Sequence, residues 1–70
     1  MSLIWSEDKK GNKNGKKGPY TMFVVSYYTG RGYFVSPKLP GLKTVDVPSP
    51  EHGVIVAERL FREYLEILNR

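Results

Sequence analysis

The residues best able to do chemistry lie in the stretch KKGNKNGKKGP, residues 9–19, which holds five lysines, three glycines and two asparagines. Lysine ammonium groups neutralise nucleic-acid phosphates and release condensed counterions. Glycine lets the backbone approach a groove closely, and amide groups add hydrogen bonds to phosphate oxygens. The candidate nucleic-acid contacts are therefore Lys9, Lys10, Lys13, Lys16 and Lys17, with Arg31 added from a turn further along the chain. The stretch itself contains no arginine, so contact would be positional rather than base-reading, and DNA and RNA fit equally well. The competing expectation is a mobile loop between two strands, kept solvated by its charge.

Other arrangements lead to no reaction. GNKNGKK, residues 11–17, is one residue short of the phosphate-loop spacing and is followed by neither Ser/Thr nor a helix, both of which that motif requires. The single His52 stands next to Glu51, and side chains at i and i+1 of a helix do not face each other. Without cysteine there is no disulfide or thiolate ligand, and one histidine is too little for a zinc site. The expectation is a non-enzymatic binding module with no metal and no cofactor.

Charge and length narrow the class further. Residues 1–50 carry eight Lys/Arg against three Asp/Glu, and residues 51–70 carry three against four, so the net +4 belongs to the N-terminal part. That asymmetry suits a polyanionic partner. Seventy residues form one small domain, residues 1–70, whose single core is modest enough that self-association as a homodimer would help it. No apolar run approaches the ~20 residues of a membrane span, and MSLIWSEDKK lacks a secretory pattern. The expected setting is cytoplasmic.

The elements that must position these residues follow from pattern. Leu3, Ile4 and Trp5 suggest a short first strand, followed by the basic loop 9–19. YTMFVVSYY, residues 20–28, is rich in β-branched and aromatic residues. A turn with Gly30 and Gly32 leads into GYFVS, giving a β-hairpin over 20–36. Pro37 and Pro40 interrupt regular structure, and Val45-Asp46-Val47 reads as a short edge strand or an extended link. Ser49 as N-cap, Pro50 at the first helical position and Glu51 at the positive end of the dipole start a helix over about 50–68, with Gly53 a weak spot in its first turn. Its apolar arc runs through Val54, Val56, Ala57, Leu60, Phe61, Tyr64, Leu65, Ile67 and Leu68. On the polar half, the pairs Glu58–Arg62, Arg59–Glu63, Arg62–Glu66 and Glu66–Arg70 stand at i, i+4. The expected fold class is α+β: a three-stranded antiparallel sheet with one C-terminal amphipathic helix packed on one face.

One helix covers only one face of such a sheet. Alternation along 20–28 puts Thr21, Phe23, Val25 and Tyr27 on one side and Tyr20, Met22, Val24, Ser26 and Tyr28 on the other. An uncovered face carrying Tyr20, Met22, Val24 and Tyr28 implies a partner. A second copy of the chain, unpaired bases, or the N-terminal segment or proline-rich link folding back would each satisfy it.

GYFVSPKLPGLKT, residues 32–44, resembles the core of HicB-type antitoxins, in which a strand hairpin leads into Pro-x-Leu-Pro-Gly, a threonine three residues on, and an amphipathic helix. Here Tyr20–Val35, Pro37–Gly41, Thr44 and Ser49–Leu68 occupy those places. The family's glycine and acidic residue after the threonine are replaced by Val45-Asp46-Val47-Pro48, and the N-terminal strand and basic loop are extra. The resemblance implies a dimerising, non-catalytic protein partner of a small RNA-cleaving toxin. A second resemblance, to the N-terminal arm-binding domains of phage-type tyrosine integrases, rests on Trp5, the 20–35 hairpin and the closing helix. It implies DNA binding by a sheet face, although that face here lacks Lys and Arg. The two together suggest a regulatory, phage or mobile-element protein.

Overall fold

Ser49 caps the helix as its side chain predicts: its backbone is extended, and its Oγ accepts a 3.1 Å hydrogen bond from the His52 amide. With Pro50 following, helix α1 runs Pro50–Leu68. The computed structural model describes residues 3–69. Five strands precede the helix: β1 (Ile4–Glu7), β2 (Lys13–Lys17), β3 (Tyr20–Tyr28), β4 (Gly32–Pro37) and β5 (Val45–Val47). They pair in sequence order as an antiparallel meander, and α1 packs across one face.

The α+β class and the single C-terminal helix agree with the sequence pattern, but the sheet has five strands rather than three. The 45–47 segment is a fifth strand, pairing Val35 with Val45 and Tyr33 with Val47. The larger correction is β2, which occupies the middle of the basic stretch. KNGKK has little intrinsic strand preference, and its place is set by neighbours on both sides: Lys13 pairs with Glu7 and Val25, Asn14 with Ser6 and Val24, and Gly15 with Trp5 and Phe23. Strand formation in such a segment reflects cross-strand packing more than backbone preference.

Two glycines set how closely the layers approach. A Cβ on Gly15 would lie 2.8 Å from the Trp5 ring, so the indole occupies the space left by the missing side chain. The Trp5 Nε1–H donates to Glu58 Oε2 at 2.8 Å, and the same oxygen accepts from the Leu3 amide at 3.1 Å, tying β1 to the helix. Glu58 thus turns to the sheet rather than to Arg62. Among the described residues no ion pair joins Arg59–Glu63 or Arg62–Glu66, and the Glu66–Arg70 pairing lies outside them. Gly53, unfavourable to the helix's first turn by propensity, is also a contact point. It is buried, and a Cβ there would stand 2.6 Å from Val25 Cγ1.

The core comprises Leu3, Phe23, Val25, Val35, Val47, Ala57 and Phe61, with Phe23 and Phe61 meeting edge to face at 6.4 Å. Leu39 and Leu42 of the proline-rich link pack against it. Ile67 and Leu68, assigned to the buried arc by periodicity, are exposed at the helix end.

Alternation along β3 breaks at Met22. Gly15 pairs with Phe23 but Lys16 with Thr21, leaving Met22 as the extra residue of a bulge. Met22 packs against the core. Cα partners share a face, so the row Ile4–Lys16–Thr21 lies on the side away from the helix, and Tyr20, opposite Lys17, moves to the helix side. Of Tyr20, Met22, Val24 and Tyr28, only Val24 and Tyr28 stand on the open face.

Gly53→Ala should destabilise the fold by ~1–3 kcal/mol through overpacking against Val25, despite the better helix preference of alanine. Urea unfolding measures this, and an equal or raised midpoint would contradict it. Glu58→Ala strands the indole N–H and the Leu3 amide. It should cost ~1.5–3 kcal/mol and remove hydrogen-exchange protection from β1 before the rest of the sheet.

Candidate functional site

The turn between β1 and β2 is organised around one carboxylate. Asp8 Oδ1 accepts from the Lys10 amide at 2.9 Å and from the Asn12 amide at 3.0 Å, while Oδ2 accepts from Asn12 Nδ2 at 3.2 Å. The Asp8 amide donates to the Asn12 carbonyl at 3.0 Å, and Gly11, at φ 85°, donates to the Asp8 carbonyl at 3.1 Å. Partial removal from water acts to raise the Asp8 carboxyl. Hydrogen bonds from the Asn12 amide, the Asn12 side chain, the Lys10 amide and the Asn14 side chain outweigh it and hold the group below the usual carboxylate range. Lys9 and Lys10 therefore ride on a defined turn rather than on a slack loop.

The remaining lysines follow the strand. Lys13 begins β2 and is half-buried on the helix side, in the row Glu7–Lys13–Val25. Lys16 and Lys17 are exposed at the far end, about 10–13 Å away at ~3.3 Å per residue. No carboxylate oxygen comes within 4.0 Å of the Lys9, Lys10, Lys13 or Lys16 ammonium among the described residues. Arg31 is placed differently. Its Nε donates to Asp46 Oδ1 at 2.9 Å, and its guanidinium carbon lies 4.6 Å from the centroid of the Phe34 ring. Phe34 and Asp46 are Cα partners on the open face, so Arg31 is engaged at the β4–β5 edge, away from the lysine hairpin.

The open face is less aromatic than alternation suggested. Its central rows read Ser6–Asn14–Val24–Ser36 and Ser26–Phe34–Asp46, with Tyr28 and Ile4 exposed beyond them. No described element lies over it: the N-terminal segment extends the sheet edge, and Leu39 and Leu42 turn to the core.

A feature absent from the sequence reading lies on the other side, where the sheet outruns the first turn of α1. A cleft of about 340 Å³ opens there, walled by Glu7, Lys10, Lys13, Tyr27, Tyr33 and Glu51. Tyr27 and Tyr33 face each other across β3 and β4, with ring centroids 4.9 Å apart and planes at 60°. A second cleft of similar size, bounded by Trp5, Glu7, Lys13 and Val54, adjoins it, so Glu7 and Lys13 line both. The available signal was geometric. Tyr27 shares the helix-side alternation of Val25, but Gly53 already covers Val25, so a residue one step further along the strand lies past the helix's cover.

Protein-family models, curated proteins and solved structures, each searched with this chain, yield no match. No helix of the described residues is long and apolar enough to cross a membrane.

A carboxyl depressed in the folded state contributes stability that is complete above the unfolded range, near ~3.9, and is lost as pH falls through the lower folded value. The difference in Tm between wild type and Asp8→Ala should therefore be largest near neutrality and shrink as the solution is acidified from about pH 5 towards about pH 2. A difference independent of pH would mean that the carboxylate does not hold the turn.

Proposed function

We propose that this chain is a non-enzymatic binding module that holds nucleic-acid phosphates on the lysines of the β1–β2 hairpin. In this reading it is a small regulatory or mobile-element protein acting in the cytoplasm. The observation that carries the proposal is the state of four cations. Lys9, Lys10, Lys13 and Lys16 project from an ordered edge hairpin, and none has a carboxylate within 4.0 Å among the described residues. Placing like charges along one ribbon without partners costs self-repulsion, which a polyanion relieves while releasing its own counterions. An ordered turn also limits the entropy lost on contact, compared with a flexible tether. Arg31, engaged by Asp46 and Phe34, adds little to such a surface unless that pair opens.

A second reading is favoured by the uncovered sheet face. Val24, Phe34 and Tyr28 lie on it with no described element above them, as suits a HicB-like protein-binding antitoxin or a phage accessory protein that assembles or dimerises there. In that case the lysines serve only solubility.

The two readings separate in one titration. Labelled duplex DNA and single-stranded RNA of about 20 nucleotides are followed by anisotropy between roughly 50 and 200 mM salt. Wild type should bind with a log–log salt slope of about −0.7 to −0.9 per phosphate contacted. The Lys9→Ala, Lys10→Ala, Lys16→Ala triple variant should flatten that slope by about two to three units and weaken binding on every sequence alike. Absence of salt-dependent binding in wild type would refute the nucleic-acid reading and move attention to the open face.

A further inference from the structure

We propose that the cleft between the β1–β2 turn and the start of α1 takes one unpaired nucleotide, so that the nucleic acid held by the hairpin is single-stranded at that point. This rests on the phosphate-binding reading above and names the substrate class for it.

The chemistry of the walls divides by type. Lys10 and Lys13 line the cleft, and among the described residues no carboxylate oxygen comes within 4.0 Å of either ammonium, although Glu7 is the cross-strand neighbour of Lys13; the two cations suit a phosphate. Tyr27 offers an aromatic surface. It is 59% exposed, and its ring is braced by the edge-to-face contact with Tyr33 at 4.9 Å. Every base has a π-face that stacks on such a ring irrespective of sequence. Glu7 and Glu51 complete the wall. Ionised carboxylates only accept hydrogen bonds, so they fit the ring N–H and exocyclic amine donors of a base and repel a second phosphate. The nucleotide is thereby oriented with its phosphate at the lysines and its base against Tyr27.

Size and access point the same way. About 340 Å³ lies at the lower end of the ~300–1,000 Å³ range of small-ligand sites, which suits one nucleotide. A base inside a duplex presents no face to stack upon, whereas an unpaired base can be splayed onto an aromatic ring. The site is on the helix side of the sheet, so it differs from the stacking surface that alternation along β3 would suggest.

The test compares a labelled single strand of about 12 nucleotides, roughly the span of one small single-strand-binding domain, with the same strand in duplex form. Four proteins are used: wild type, Tyr27→Ala, Tyr27→Phe and the triple lysine variant. The expected result is tighter binding of the single strand, a loss of about tenfold or more for Tyr27→Ala on the single strand only, near-wild-type binding for Tyr27→Phe, and an unchanged salt slope for both tyrosine variants. Amide shifts of wild type saturated with the strand should include Lys13, Tyr27, Tyr33 and Glu51, a readout that needs no substitution. If the lysine variant loses binding while Tyr27→Ala does not, and the shifts spare Tyr27, Tyr33 and Glu51, the phosphate reading stands and the nucleotide cleft is wrong. If wild type binds neither strand, the phosphate reading itself fails and the cleft proposal falls with it.

Discussion

The contact among Trp5, Gly15 and Glu58 holds the N-terminal third of the chain in the fold. The indole fills the space above a residue with no side chain, and its N–H and the Leu3 amide converge on one carboxylate of the helix. Hydrogen bonds to a charged acceptor are worth more than neutral ones, and a half-buried carboxylate left without donors would be costly. β1 is only four residues long and lies at the sheet edge, so little else fixes it. With β1 in place, β2 has a partner on each side and becomes a strand. Without it, KNGKK would be an edge segment of lysine, asparagine and glycine.

That arrangement explains how a chain of 70 residues without cysteine builds its core. Small domains are limited by the area one helix and a few strands can bury. Here the sheet is widened to five strands, and the helix is brought close to it by Gly53 over Val25 and Val35. Closeness has a consequence at the other end. The first turn of α1 sits over Val25 and Val35, and the next residues along β3 and β4, Tyr27 and Tyr33, are left beside it with the hairpin turn opposite. The cleft is thus a by-product of where the helix begins, and its lysines come from the hairpin that Trp5 anchors.

The two ends of the basic stretch differ in kind. Around Asp8 the charge is organised by a cluster of hydrogen bonds into a turn with a glycine at positive φ. Beyond Gly15 plain alternation along β2 puts Lys16 in the open-face row while Lys13 lies on the helix side, and the bulge at Met22 shifts only which β3 residues stand beside Lys16 and Lys17. The lysines therefore do not form one patch. They outline an edge ribbon, and the cation set inferred from composition is divided by the pleat.

The sequence by itself determined the elements whose signals are local. The β3–β4 hairpin follows from β-branched and aromatic residues around Gly30 and Gly32, and the helix start from Ser49-Pro50-Glu51, because propensity, turn geometry and capping each act within a few residues. The lysines were visible as charges, but not as members of a strand. What only the tertiary structure decided is everything that depends on a distant partner: β2 as a strand between β1 and β3, Gly53 and Gly15 as points of close approach, Glu58 facing the sheet rather than Arg62, Met22 as a bulge that removes Tyr20 from the open face, and the cleft between Tyr27, Lys13 and Glu51. Each is a long-range contact. Alternation and helical periodicity carry no information about which residue stands opposite, so a register shift of one residue or a ring over a glycine leaves no local trace.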